Sequence, residues 1–241
     1  KFLRSDKAES KAVKDIIKRL AIAEPSVNFI LRDMSKGGDG RTIFNFRQQE
    51  GDREKSIQGR LAQVLGPNFT ENSIFINTER DGIRLLGYAA LPTYSRGAAV
   101  QQFFFVNGRP IKDKLLIGAL RGAYSDLLAR DRYPAAALFI ECEPQRVDMN
   151  VHPTKAEVRF REPGIVRGLI ISGLKHALAE VGHRTSSTIG METLGAFRKD
   201  EFYTNTRERN YQSVTITDRQ VNFKNLENNA SFEDSFNNET D

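Results

Sequence analysis

Asp148-Met149-Asn150-Val151-His152-Pro153-Thr154-Lys155-Ala156-Glu157-Val158-Arg159-Phe160 is the stretch on which the reading of this chain turns. Val147, Met149 and Val151 alternate with Asp148, Asn150 and His152, the period of a half-buried strand. Pro153 has no N–H to give to a ladder and ends that strand. Ala156, Val158 and Phe160 then alternate with Glu157 and Arg159, predicting a second strand. Lys155 is thereby placed on a loop held at both ends, the arrangement by which a protein presents one ammonium group at a defined point. A solvated turn lysine with no further role is the commoner meaning of such spacing, and spacing alone leaves both readings open.

Upstream, Pro134 introduces a strand over 135–141, and residues 102–106 form another with three consecutive phenylalanines. An apolar run of that kind predicts burial on both faces. An aromatic platform for nucleic acid would interleave basic residues; none interleave here, so core packing is the preferred reading. Asn107-Gly108 is a turn dipeptide. Arg109, Lys112 and Lys114 follow, and then a helix with Leu116, Leu120, Tyr124 and Leu127 on its apolar face. Cations at a helix N-terminus are opposed by the macrodipole. The cluster therefore asks for an anion, supplied either by a phosphate backbone or by Asp113 pairing with a neighbour.

Ile57, Leu61, Val64 and Leu65 predict a short helix closed by Gly66-Pro67, and 73–77 with 83–90 a hairpin around Asp81-Gly82. Residues 91–99 read as a loop. At the start, Asp6 and Glu9 have capping-box spacing, which starts a helix at Asp6. Its predicted apolar face is Val13, Ile16, Ile17 and Leu20, and Pro25 stops it. Residues 27–32 and 42–46 flank the turn Gly37-Gly38-Asp39-Gly40. So small a helix and hairpin bury too little to stand alone, and are expected to complete a sheet whose other strands lie upstream of Lys1. The polar stretch 48–55 is the expected domain boundary. The last predicted helix covers 164–181, with Ile165, Leu169, Ile171, Leu174 and Leu178 on one side.

Across 241 residues the net charge is +5, unevenly spread. Residues 1–197 hold 30 basic and 22 acidic side chains, whereas 198–241 hold six and nine. The basic surplus on the apolar-rich part favours a polyanion such as DNA, although solubility alone could account for it. The segment 184–241 has sparse apolar residues and reads as a mostly disordered linker. The one cysteine, Cys142, cannot form an internal disulfide. With no signal peptide and no long apolar run, an intracellular, cytoplasmic protein is expected. His152, His176 and His183 lack ligand-spaced partners, so no metal site is predicted. The chain opens at Lys1 without an initiator Met and reads as part of a longer protein.

Asn150 to Phe160 resembles the signature of the MutL family of DNA mismatch repair proteins, bacterial type. Phe105-Val106-Asn107-Gly108-Arg109 and the opening Lys1-Phe2-Leu3-Arg4 match the same family, so the resemblance runs from residue 1 to about 183. It implies an α+β fold. Residues 1–52 would be the end of a GHKL-type ATPase domain, 53–183 a transducer domain like ribosomal protein S5, and 184–241 linker to a dimerisation domain. It implies that Lys155 reaches the γ-phosphate of ATP in the preceding domain. Beside it, His152 is expected to hold the loop by side-chain hydrogen bonds, and Arg159 to be strand surface or to pair with Glu157. Lys114, beside Lys112 and Arg109, would contact double- or single-stranded DNA. Magnesium, the general base and the glycine-rich lid would come from upstream, so this region is not expected to hydrolyse ATP alone. A mismatch-sensor protein, a downstream nuclease or helicase, and a second copy in a nucleoid-associated homodimer are the implied partners, with no membrane role. The transducer of a type II topoisomerase subunit and a nucleotide-independent DNA-binding domain are the alternatives.

Overall fold

The computed structural model describes residues 5–35, 37–151 and 156–196, with side chains as far as Val181. In chain order the elements are α1 (Asp6–Ala23), β1 (Phe29–Asp33), β2 (Arg41–Phe46), α2 (Arg53–Leu65), α3 (Pro67–Glu71), β3 (Ser73–Arg80) and β4 (Ile83–Ala90). They continue with β5 (Ser95–Arg96), β6 (Gln102–Val106), β7 (Arg109–Ile111), α4 (Lys114–Ala123), β8 (Tyr133–Pro134) and β9 (Ala136–Glu141). After a 3-10 turn come β10 (Val147–Asp148), β11 (Arg159–Phe160) and α5 (Pro163–Ala196).

Five strands form one sheet in the order β3-β4-β9-β6-β7. β6 and β9 run parallel, with α4 in the connection between them, and the other neighbours are antiparallel. Alternation along each strand sorts side chains to two faces. Ile83, Leu85, Phe104, Val106, Leu138 and Ile140 meet Leu116 and Leu120 of α4 and Val166, Leu169, Ile170 and Leu174 of α5. Leu86, Tyr88, Phe103, Phe105 and Phe139 meet Ile57, Leu61 and Val64 of α2, Phe69 of α3, and Ala21, Ile22 and Phe46. The result is the α+β architecture expected. The three phenylalanines of β6 are core on both faces, each at most 2% exposed.

Several expectations are corrected. The cap of α1 is Ser5, whose hydroxyl accepts from Ala8 N, one residue before the expected Asp6. The predicted apolar face of α1 is largely uncovered, with Val13, Ile16 and Leu20 exposed; the helix is held by its last turn, where Ala21 and Ile22 are fully buried. Pro67 closes α2 but also opens α3, since proline is well tolerated in a first helical turn. The loop over 91–99 contains β5, which pairs with β8, and Arg109 begins an edge strand. α4 ends at Ala123, so Leu127 falls beyond it and is exposed. The buried stripe of α5 centres on Val166, Leu169, Ile170 and Leu174, with Ile165 and Ile171 at its margins. No proline interrupts residues 164–196, and α5 runs past 181 to Ala196; the rest of the segment read as linker lies outside the described residues.

A candidate phosphate-facing surface around Lys112

Lys155, with His152 between the same two strands, lies outside the described residues; the structure shows what holds the two ends of their loop. β10 and β11 pair with Val147 opposite Phe160 and Asp148 opposite Arg159. Val147, Val158 and Phe160 are buried in the core under α5, so both ends of the loop are packed. The first strand is much shorter than its alternation predicts. Asn150 N donates to Asp148 Oδ1 at 2.8 Å, and this local Asx turn takes the backbone out of the ladder after Asp148. Arg146 pins the base of the loop by donating to the Glu162 carboxylate and to Asp81 O at the tip of the β3–β4 hairpin. Arg159 and Glu157 are both exposed, and among the described residues no ion pair joins them.

The basic cluster read from sequence lies beside the far end of this loop. Lys112 N donates to Ala156 O at 2.7 Å, which ties the residue after Lys155 to the segment carrying Arg109, Lys112 and Lys114. All three cations are exposed. Their neighbourhood at the start of α4 is offset locally: the Asp113 carboxylate accepts from Leu115 N at 2.8 Å and Leu116 N at 3.3 Å, capping the helix. The macrodipole argument for an external polyanion therefore loses its force, because an internal carboxylate already sits at the helix end.

Sequence reasoning missed the partner of Lys112. Its Nζ reaches Asp15 Oδ2 of α1 at 3.0 Å, and Arg19 Nε reaches the same oxygen at 3.1 Å. Burial pushes the Asp15 carboxyl up, but the hydrogen bond from Lys112 and the charge of Arg19 outweigh it and hold its pKa below the ordinary value. Only folding could reveal a pair so distant in sequence. Among the described residues no cluster of three or more His, Cys, Asp or Glu is arranged to hold a metal, and no helix is long and apolar enough to cross a membrane.

The arrangement can offer cations to phosphates on a rigid frame. The family described as DNA mismatch repair protein, C-terminal domain, matches residues 61–179. The DNA mismatch repair protein MutL of Phenylobacterium zucineum (strain HLK1) is 50% identical over 198 residues, which is 82% of this chain and 31% of that protein. MutL of Brucella abortus (strain S19) is 48% identical over 202 residues, 84% of this chain and 32% of its own. A crystal structure of the N-terminal domain of a DNA repair protein superposes with a TM-score of 0.61 at 18% identity, covering 72% of this chain and 54% of that one, a likeness of fold.

The sheet and its two helical layers define an α+β domain of the kind matched by the mismatch-repair family and shared in fold by a DNA repair protein's N-terminal domain. The chain belongs to the MutL family of DNA mismatch repair proteins, and spans 31% of the length of the Phenylobacterium relative. Membership sets aside the topoisomerase-subunit alternative.

Proposed function

We propose that this region is the transducer of an ATP-dependent mismatch-repair matchmaker. It carries nucleotide state from a preceding ATPase domain to a DNA-binding surface, and from there to the mismatch sensor and to a downstream nuclease or helicase. The observation that carries the reading is the bond from Lys112 N to Ala156 O, which couples the loop bearing Lys155 to the segment bearing Arg109, Lys112 and Lys114. Lys155 contacts the γ-phosphate of ATP and stabilises charge in phosphoryl transfer. When that phosphate leaves, the loop loses its contact, and the segment bonded to it is free to shift. Arg109, Lys112 and Lys114 contact DNA phosphates, largely without regard to sequence. Magnesium ligands and the general base belong to the preceding domain, as does the remainder of the ATP pocket.

The exposed apolar residues of the first segment support this organisation. Val13, Ile16, Leu20, Val27 and Ile30 are each 40% or more exposed. In water such a strip is an interaction surface, and the ATPase domain that 1–52 completes is its cover. Residues 53–183 are the transducer proper, and a cytoplasmic, nucleoid-associated homodimer is the assembly.

The test is Lys155→Ala in the intact protein, with ATP turnover and circular dichroism measured together. Turnover should fall at least tenfold with the spectrum unchanged; full turnover would remove Lys155 from the nucleotide site. If instead ATP analogues leave DNA affinity unchanged in the wild-type protein, the region is a nucleotide-independent DNA-binding domain.

A further inference from the structure

Lys7, Lys11, Lys14 and Lys18 recur along α1 at intervals of four, three and four residues, which places them in one stripe of the helix. At 1.5 Å of rise per residue the stripe is about 16 Å long, with neighbouring lysines about 4.5–6 Å apart along the axis. Part of it borders a groove of about 750 Å³. Lys11, Lys14, Lys18 and Arg19 of α1 line it together with Lys112, and β6 contributes Phe103 and Phe104.

The acid in this groove is already spent. Asp15 is engaged by both Lys112 and Arg19. Asp33 lies close enough to Lys14 for the charge to help lower its pKa, after the larger effect of its hydrogen bonds from Ser35. Neither Lys11 nor Lys18 has an ion pair among the described residues. The Arg19 guanidinium lies 4.9 Å from the Phe103 ring centre, and its Nη1 is a buried donor without a partner. The lip adds apolar surface, for Val100 is 60% and Ile117 39% exposed.

We propose that this groove binds one strand of DNA, with successive phosphates along the α1 lysines and the bases over the apolar lip. The inference rests on the DNA-binding reading above and adds to it a site on the first segment, away from Arg109 and Lys114. A row of evenly spaced cations suits a chain whose charges repeat evenly. The apolar lip suits bases freed from a duplex, which find contact area on non-polar side chains. Because Lys112 lines the groove and also holds Ala156 O through its backbone, a strand seated there touches the segment that follows Lys155.

The experiment measures binding of a fluorescein-labelled thirty-nucleotide oligothymidine to the intact protein at several salt concentrations. The variants are Lys11→Glu with Lys18→Glu, the milder Lys11→Ala with Lys18→Ala, Lys55→Glu on α2 as a control remote from the groove, and Lys114→Glu. Melting temperature and circular dichroism are recorded for each. The reversal pair should weaken binding about tenfold or more, and each lost phosphate contact should flatten the slope of log K against log salt by about 0.7. The alanine pair should show a smaller loss of the same kind, and the control none. Unchanged affinity and slope in both groove pairs would overturn the proposal. If Lys114→Glu alone then weakens binding, the DNA-binding reading stands without the groove; if neither does, both fall. Poly-glutamate competing as well as the oligonucleotide at equal charge would show a site for any acidic chain and would also overturn it.

Discussion

Lys112 and Asp15, 97 residues apart in sequence, meet at 3.0 Å and join the link between β7 and α4 to the middle of α1. Through its main chain the same lysine holds Ala156. One residue thus connects the first segment, the candidate DNA surface and the loop that carries Lys155.

Asp15→Asn should destabilise the protein modestly at neutral pH. Lys112 is 58% and Asp15 35% exposed at the side chain, so solvent screens the pair and a loss of about 0.5–1 kcal/mol is expected. The Asp15 pKa is depressed in the folded state. A depressed carboxyl stabilises the fold above its unfolded pKa, about 3.9, and gives that up as pH falls through the folded value. Denaturant melts of wild type and variant should therefore differ at neutral pH and converge in strong acid. A gap that widened on acidification would have the wrong sign.

Arg60 is fully buried, and its Nη2 donates to Pro25 O at 2.8 Å and to Val27 O, fastening α2 to the chain between α1 and β1. Its Nε and Nη1 have no partner, so part of its desolvation is uncompensated. Arg60→Ala opens a cavity and strips two carbonyls of their donor. A loss of about 2–4 kcal/mol in urea unfolding is expected. Arg60→Met, which refills the volume, should recover part of it; an alanine variant as stable as wild type would contradict the anchoring role.

Tyr124 closes α4 with its ring 1% exposed, and its hydroxyl donates to Ala90 O at 2.5 Å at the end of β4. Burial pushes the pKa of that hydroxyl well above its ordinary value. Tyr124→Phe removes one buried bond while keeping the ring, and should cost about 1–2 kcal/mol because Ala90 O loses that donor. Thermal melts of the two proteins would decide it, and the absorbance of this tyrosine should resist alkaline titration until the fold opens.

Gly87→Ala should be the most damaging of these changes. Gly87 sits in β4 at φ 140°, opposite Leu138 of β9, and a Cβ there would overlap Ala137 O. Both strands are interior to the sheet, so neither can move away without breaking ladders on its other side. We expect destabilisation above about 3 kcal/mol, read as loss of soluble protein or a melting point lowered by many degrees. A Gly87→Ala protein that folds as well as wild type would mean that the two strands can separate locally.

Much of the fold is legible in consecutive residues. The strands β4, β6 and β9, the Asp81-Gly82 turn, the burial of Phe103 to Phe105 and the helical stripes of α2 and α4 all follow from local apolar runs, period and turn chemistry. At the candidate site the same logic found the cluster Arg109, Lys112 and Lys114 and left open whether a phosphate or Asp113 offsets it; Asp113 proved to cap the helix. The strand predicted from Val147 ends after Asp148 because a side chain competed with the ladder: Asp148 Oδ1 captured Asn150 N. The lysine stripe of α1 was open to reading as spacing, but the groove it borders was not.

By itself, the sequence determined the central strands, the helical faces and turns, and the motif that marks a MutL region, because each is written in neighbours only a few residues apart. The tertiary structure alone decided which faces found a cover. It buried Ala21 and Ile22 while leaving Val13, Ile16 and Leu20 exposed, paired β5 with β8, and brought Asp15 to Lys112. Those outcomes depend on where distant segments close in space, and periodicity carries no record of that because one pattern of side chains can meet core, solvent or another domain.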